Sequence, residues 1–288
     1  MTKMKKRFLV ISLMSVLALL IVGGVSRYAF ASRMSAAGPW GGMTRGIGGV
    51  HEFKAELLRA LNPMDFTEAQ WKKFDEIAGG LREQGKEFHR SMMKNMWKHR
   101  PELRGMMTAD GFDEEKAKGM IAEVRPVFVS MVEGLMKARS DVYGMLNDAQ
   151  RGKVDAVLEV IGKRLEQPFD GPREMHVAMM RRLDPTPEQK EKIEAIMRET
   201  APKMQGYAKT LFNMVKTGNA ALANGPMSDE QIAESAGKVA DLAEEALLEM
   251  GRTRALVWET LDSEQREEMA KMRGPMGRME RGPGRMRK

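Results

Sequence analysis

Four side chains in this sequence have the types and spacing to bind a soft metal. His89, Met92, Met96 and His99 step by three, four and three residues, so a helix would align them on one face. Imidazole and thioether together suit Cu(I) or Ag(I). One straight helix cannot wrap an ion with all four, because His89 to His99 spans about 15 Å. A metal site there needs a broken helix or a ligand from a partner, so metal binding is the alternative reading and no resident metal or cofactor is expected. His51 and His176 stand alone. With no cysteine, disulfides, thiolate metal sites and cysteine nucleophiles are all excluded. No nucleophile with a base partner, carboxylate pair or cofactor motif stands out, so no catalytic residue is assigned and the chain is read as a non-enzyme.

Methionine offers a different chemistry. The chain holds 28, clustered at Met92, Met93 and Met96, at Met106 and Met107, and at Met179 and Met180. Flexible, polarizable thioethers repack against apolar partners of many shapes, which is what a promiscuous binding surface needs. Adjacent pairs cannot all face one core, so these seven residues are the candidate set for binding apolar partners. Met131 and Met250 sit at seam positions and are read as core.

The elements that must carry these groups are announced by a motif that occurs four times: an apolar residue or Pro, then Thr, Asn or Asp, then Gln three residues on. Its copies are Phe66, Thr67 and Gln70; Leu146, Asn147 and Gln150; Pro185, Thr186 and Gln189; and Leu261, Asp262 and Gln265. The short polar side chain can accept from a first-turn amide while the Gln reaches back, which is a capping box opening a helix. Four and seven residues past each Gln the chain is apolar: Phe74 and Ile77, Val154 and Val157, Ile193 and Ile196, Met269 and Met272.

Spacing groups the boxes into two pairs, Gln70 with Gln150 and Gln189 with Gln265. The later half of the first unit carries a heptad seam: Ala117, Ile121, Val124, Phe128, Met131, Leu135, Ala138, Val142 and Met145. Its counterpart in the second unit is Ile232, Ala236, Val239, Ala243, Ala246, Met250, Thr253, Val257 and Thr260. A first long helix is expected from Thr67 to His99 and from Thr186 to Lys216, before loops marked by Pro101 and by Gly218, Gly225 and Pro226. Gly79-Gly80, Pro126 and Pro202 either bend their helices or end them. Without strand-like alternation, a nucleotide-binding glycine motif or HExxH, the fold class is all-α: two tandem repeats of a long helical hairpin.

The repeated box resembles the LTxxQ motif of the Spy/CpxP family of periplasmic chaperones, and the segment Phe112-Asp113 is similar to the family's Phe-Asp lead into its second helix. Only Thr67 and Thr186 keep the threonine, and Pro185 replaces the leading Leu. The resemblance implies a curved hairpin cradle that holds unfolded envelope proteins without ATP, here with both hairpins in one chain as a pseudo-dimer. A homodimer of the whole chain stays open. It also implies an alternative, a stress- or metal-sensing regulator that reports to a membrane sensor kinase.

Lys3, Lys5, Lys6 and Arg7 precede an apolar run from Phe8 to Val22, and Ala29-Phe30-Ala31 has the small residues of a signal-peptidase site. Residues 1–31 therefore read as a signal peptide for the periplasm, with an uncleaved inner-membrane anchor as the alternative, since the run extended to Val25 approaches a membrane span. Removing five of the 47 basic residues and none of the 40 acidic ones leaves near-neutral charge, so nucleic acid is not an expected partner. Residues 32–50 are Gly-rich, 51–165 form the first unit, 166–178 a linker and 179–272 the second unit. Residues 273–288 form a basic tail expected to lack packed structure and to contact anionic membrane or acidic clients.

Overall fold

Among the described residues of the computed structural model, each of six helices starts at a polar side chain that the sequence places just ahead of it. The structure describes residues 66–99, 101–102, 112–167 and 183–271, the last three by backbone alone. The helices are α1 (Glu68–Lys98), α2 (Glu114–Met145), α3 (Asp148–Glu166), α4 (Pro187–Leu222), α5 (Asp229–Glu259) and α6 (Ser263–Lys271). Among the described residues there is no strand, and no helix is long and apolar enough to cross a membrane. The segments 1–31 and 273–288 fall outside the description.

Helix α1 has the expected limits, with Thr67 and His99 as its caps. Helix α4 instead runs past Lys216 to Leu222, so Gly218 lies inside it, and the turn comes later, where Gly225 adopts φ 140°. The reason is tertiary. Arg139 of α2 lies against Gly218, where a Cβ would come within 3.0 Å of its guanidinium. Its Nε donates to Asn219 Oδ1 at 2.8 Å and its Nη2 to the Val215 carbonyl at 2.6 Å. Burial pushes the Arg139 guanidinium down to about 10, still charged at neutral pH. Gly79, Gly80, Pro126 and Pro202 all lie within continuous helices, so none of them ends one.

Helices α1 and α2 form one hairpin, α4 and α5 the other, and α2 packs along α5. Three ion pairs give the register: Glu114 with Arg252 through two bonds of 2.7 and 2.8 Å, Arg125 with Asp241 at 2.5 Å, and Lys137 with Asp229 at 2.8 Å. Each step forward along α2 is matched by an equal step back along α5, so the two helices run antiparallel. The offset that carries Gln150 onto Gln265 also carries Glu114 onto Asp229 and Lys137 onto Arg252. The two outer pairs are therefore images of each other, with Arg125 and Asp241 near the pseudo-twofold, as in an isologous dimer interface. The two units of the chain thus pack on each other through α2 and α5.

The heptad seams are only partly the buried faces. On α2, Ala117, Leu135, Ala138 and Val142 are buried as expected, but so are Val132, Gly134, Ser140 and Tyr143. Because α2 faces α1, α5 and α4 at once, one stripe is not enough. On α5, Met250 is exposed (39%), correcting its reading as core, while Leu248 and Glu249 are buried. Helix α5 packs on α2 and α4 with different faces, and Glu249 accepts Lys203 of α4 at 2.9 Å.

Candidate functional site

All four boxes form. The backbone N–H of Thr67, Asn147, Thr186 and Asp262 donates to Oε1 of Gln70, Gln150, Gln189 and Gln265 at 2.9, 3.0, 2.9 and 3.1 Å. In return the Gln backbone N–H donates to the capping side chain at 3.2, 2.9, 3.3 and 2.9 Å. Ser228 and Gln231 make a fifth box at the start of α5. Asp113 caps α2 by accepting the Lys116 N–H at 3.0 Å.

The glutamines also do something that helix capping does not require. Gln70 Nε2 donates to Gln150 Oε1 at 2.8 Å and Gln150 Nε2 returns a bond to Gln70 Oε1 at 3.2 Å. Gln189 and Gln265 repeat this reciprocal amide pair at 2.8 and 3.0 Å. The second hydrogen of Gln70 Nε2 reaches the Met145 carbonyl (2.7 Å), and that of Gln189 reaches the Thr260 carbonyl (2.9 Å). Each pair thus ties the start of a unit's first helix to the start of its last, across the C-terminal end of the helix between them. Sequence reading took the boxes as helix starters only. The signal for the tie was there, since glutamate also serves a capping box but cannot donate, and all four positions are glutamine.

Around each tie lies a small core. Phe74, Ala78 and Val142 form the first, with Phe66, Trp71, Ile77 and Met145 packed on it; Phe66 and Trp71 meet edge to face at 5.0 Å. Leu183, Ile193, Val257, Trp258 and Leu261 form the second. Leu146 and Leu261, the apolar leads of their boxes, are buried, and Pro185 is half-buried. The apolar leads and the glutamines of the boxes thus sit in packed ends, while the capping side chains Thr67, Asn147, Thr186 and Asp262 are exposed.

The apolar surface lies elsewhere. Met92, Met93 and Met96 sit half-buried on α1, beside Trp97, which is 47% exposed. Leu247 (48%), Met250 (39%) and Leu256 (47%) are exposed on α5. These four large exposed residues were not singled out from sequence as surface, because exposure depends on where α5 meets its neighbours. Met106, Met107, Met179 and Met180 lie outside the described residues.

His89, Met92, Met96 and His99 stay spread along an unbroken α1, with His89 exposed. His99 Nε2 lies 2.9 Å from Glu123 Oε2, which Lys98 also reaches at 2.7 Å. The Lys98 and then the His99 hydrogen bonds hold the Glu123 carboxyl below its ordinary value. Among the described residues no three His, Asp or Glu side chains gather as metal ligands.

Phe112 was noted in sequence only as a lead into α2. Its ring crosses to the other unit and lies over Gly251 of α5, where a Cβ would fall 2.3 Å from Cε2. A family model described as "LTXXQ motif family protein" matches the chain twice, over residues 50–158 and 173–273. No curated protein and no solved structure matches the chain.

Proposed function

The chain belongs to the LTXXQ motif family, and on that premise we propose that it is an ATP-independent holding chaperone for unfolding envelope proteins. The family is of periplasmic helical proteins, so membership supports a general periplasmic, stress-related role. The observation that carries the finer reading is the apolar surface of α1 and α5. Met92, Met93 and Met96 beside an exposed Trp97, with Leu247 and Met250 exposed on α5, give adaptable apolar area that a folded monomer ordinarily hides. Lys94 and Lys98 on α1 are exposed and add weak, salt-screened attraction for acidic segments. Clients bind and leave without chemistry.

The test is suppression of aggregation of an unrelated unfolding protein by the purified chain, with neither nucleotide nor metal present. Suppression near equimolar ratio is the expected result. Aggregation that proceeds unchanged, together with stoichiometric Cu(I) or Ag(I) binding, transfers the case to a metal-binding regulator.

A further inference from the structure

Helix α1 carries a row of cations that neither capping nor packing explains. Arg82, Lys86, Arg90, Lys94 and Lys98 stand four residues apart and are all exposed. Like charges at that spacing are neighbours on the helix surface and oppose the helix they sit on. Helices α2 to α5 do the reverse at the same spacing, joining Lys118 to Glu114, Lys163 to Glu159, Lys203 to Glu199 and Lys238 to Glu234. Within the row Lys86 meets Glu83 and Lys98 meets Glu123, each at 2.7 Å. Arg82, Arg90 and Lys94 make no ion pair among the described residues.

The direction of the row follows from the packing of α1 on α2. Phe88 points inward, its ring 6.4 Å from that of Phe128 on α2, and Phe74 and Ala78 are buried on the same side. Trp97 lies about two and a half helical turns beyond Phe88, so it stands on the opposite side of α1, where it is 47% exposed. Arg90, Met93, Lys94 and Trp97 are three or four residues apart and so form one patch. From Arg82 to Lys98 the row runs about 24 Å along one continuous helix, opposed within that stretch by Glu83 and Glu87 alone.

The second unit shows that the fold does not need these charges. The offset that carries Gln70 onto Gln189 carries Arg82, Lys86, Arg90, Lys94 and Lys98 onto Ala201, Gln205, Lys209, Asn213 and Thr217 of α4. Of the five cations only Lys209 has a counterpart there. The row is thus a property of the surface of α1 and not of the hairpin.

We propose that this face of α1 docks on a bilayer surface that carries anionic phospholipid headgroups. A long exposed row of cations is complementary to an extended charged plane, where each Lys or Arg adds its own attraction, and not to a single bound ion. Trp97 in the midst of the row suits the same boundary, because its indole is apolar in body and polar at its N–H. This goes beyond the holding activity proposed above, since it gives the chain a station at the membrane.

The test is flotation of the full-length protein with vesicles, made either of phosphatidylcholine alone or of phosphatidylcholine mixed with phosphatidylglycerol. The protein should float with the mixed vesicles and not with phosphatidylcholine. Arg82→Gln/Lys86→Gln/Arg90→Gln keeps helix propensity and removes like-charge repulsion, so it should stay folded by circular dichroism; its affinity for the mixed vesicles should fall about tenfold or more. Lys192→Gln/Lys209→Gln/Lys216→Gln on α4 removes the same charge from exposed positions and should bind as the parent does. A parent that floats with neither vesicle or equally with both, or equal loss in the two triple variants, overturns the proposal. So does parental vesicle binding by the α1 variant: if that variant then fails to hold an acidic client, the row is a client contact instead. Flotation involves no client, so failure here and failure of the holding function are separable.

Discussion

At the residue scale, the glutamine of each box is held in one orientation by its own cap. Because Oε1 of Gln70 already accepts the Thr67 N–H, its Nε2 must face Gln150, and the amide cannot flip without opening the box. Glutamate in its place would keep the cap and turn a carboxylate toward Gln150 Oε1 and the Met145 carbonyl. Gln70→Glu and Gln189→Glu should therefore each cost about 2 kcal/mol, by loss of donors to partly buried acceptors. Thr67→Ala and Thr186→Ala, which remove only a cap, should cost about 1 kcal/mol each and leave client holding intact. Denaturant unfolding of the four variants decides this, and equal stability of Gln70→Glu and the parent would show that the amide pair contributes nothing. Abolition of holding by a Thr variant of unchanged stability would make the box part of the binding surface.

At the element scale, glycine positions separate packing from propensity. Gly79 and Gly80 have open space where a Cβ would go, so Ala at either should stabilise α1 by up to about 1 kcal/mol. Gly251 lies under the Phe112 ring, and Ala there should destabilise despite the same gain in propensity, because the ring must move. Thermal melts of the three variants should split in sign. The antiparallel pairing of α2 with α5 has its own pH signature. Hydrogen bonds from Arg252 and then Lys118 lower the Glu114 carboxyl from 4.5 to about 2. A lowered folded-state pKa contributes stability that is fully present above the unfolded value and is lost as pH falls through the folded one, here between about 4.5 and 2. Between pH 5 and 2 the melting temperature of Glu114→Gln should fall less steeply than that of the parent. Parallel curves would mean that this exposed pair is energetically silent, as many are.

At the scale of the whole molecule, the two repeats do not act as beads on a tether. Helix α3 of the first unit packs on α4 of the second, Arg139 reaches into α4, and α2 lies along α5. The described helices should therefore unfold in one cooperative transition, with circular dichroism and tryptophan fluorescence coinciding; two separated transitions would mean independent units. Replacement of Met92, Met93, Met96, Met179 and Met180 by Gln keeps side-chain length and helix propensity while removing apolar character, and it should weaken client holding without unfolding the protein. Methionine oxidation should act in the same direction. A quintuple variant that suppresses aggregation as well as the parent removes this surface from consideration.

Helix starts, the pairing of the boxes and the all-α class were legible in sequence, because capping and amphipathic periodicity are local and the duplication states each twice. The limits of α1 could be read from Thr67 and His99 alone. What the tertiary structure decided is which face meets which helix. Gly218 reads as a breaker until Arg139 needs its missing Cβ. Met250 reads as seam until α5 turns one face to α2 and another to α4. Gln70 reads as a cap until Gln150 arrives from the other end of the unit to share its amide. A side chain's local role follows from its neighbours in sequence, but burial and pairing across a fold depend on the register between helices, and that register is set by contacts such as Glu114 with Arg252 that no local pattern records.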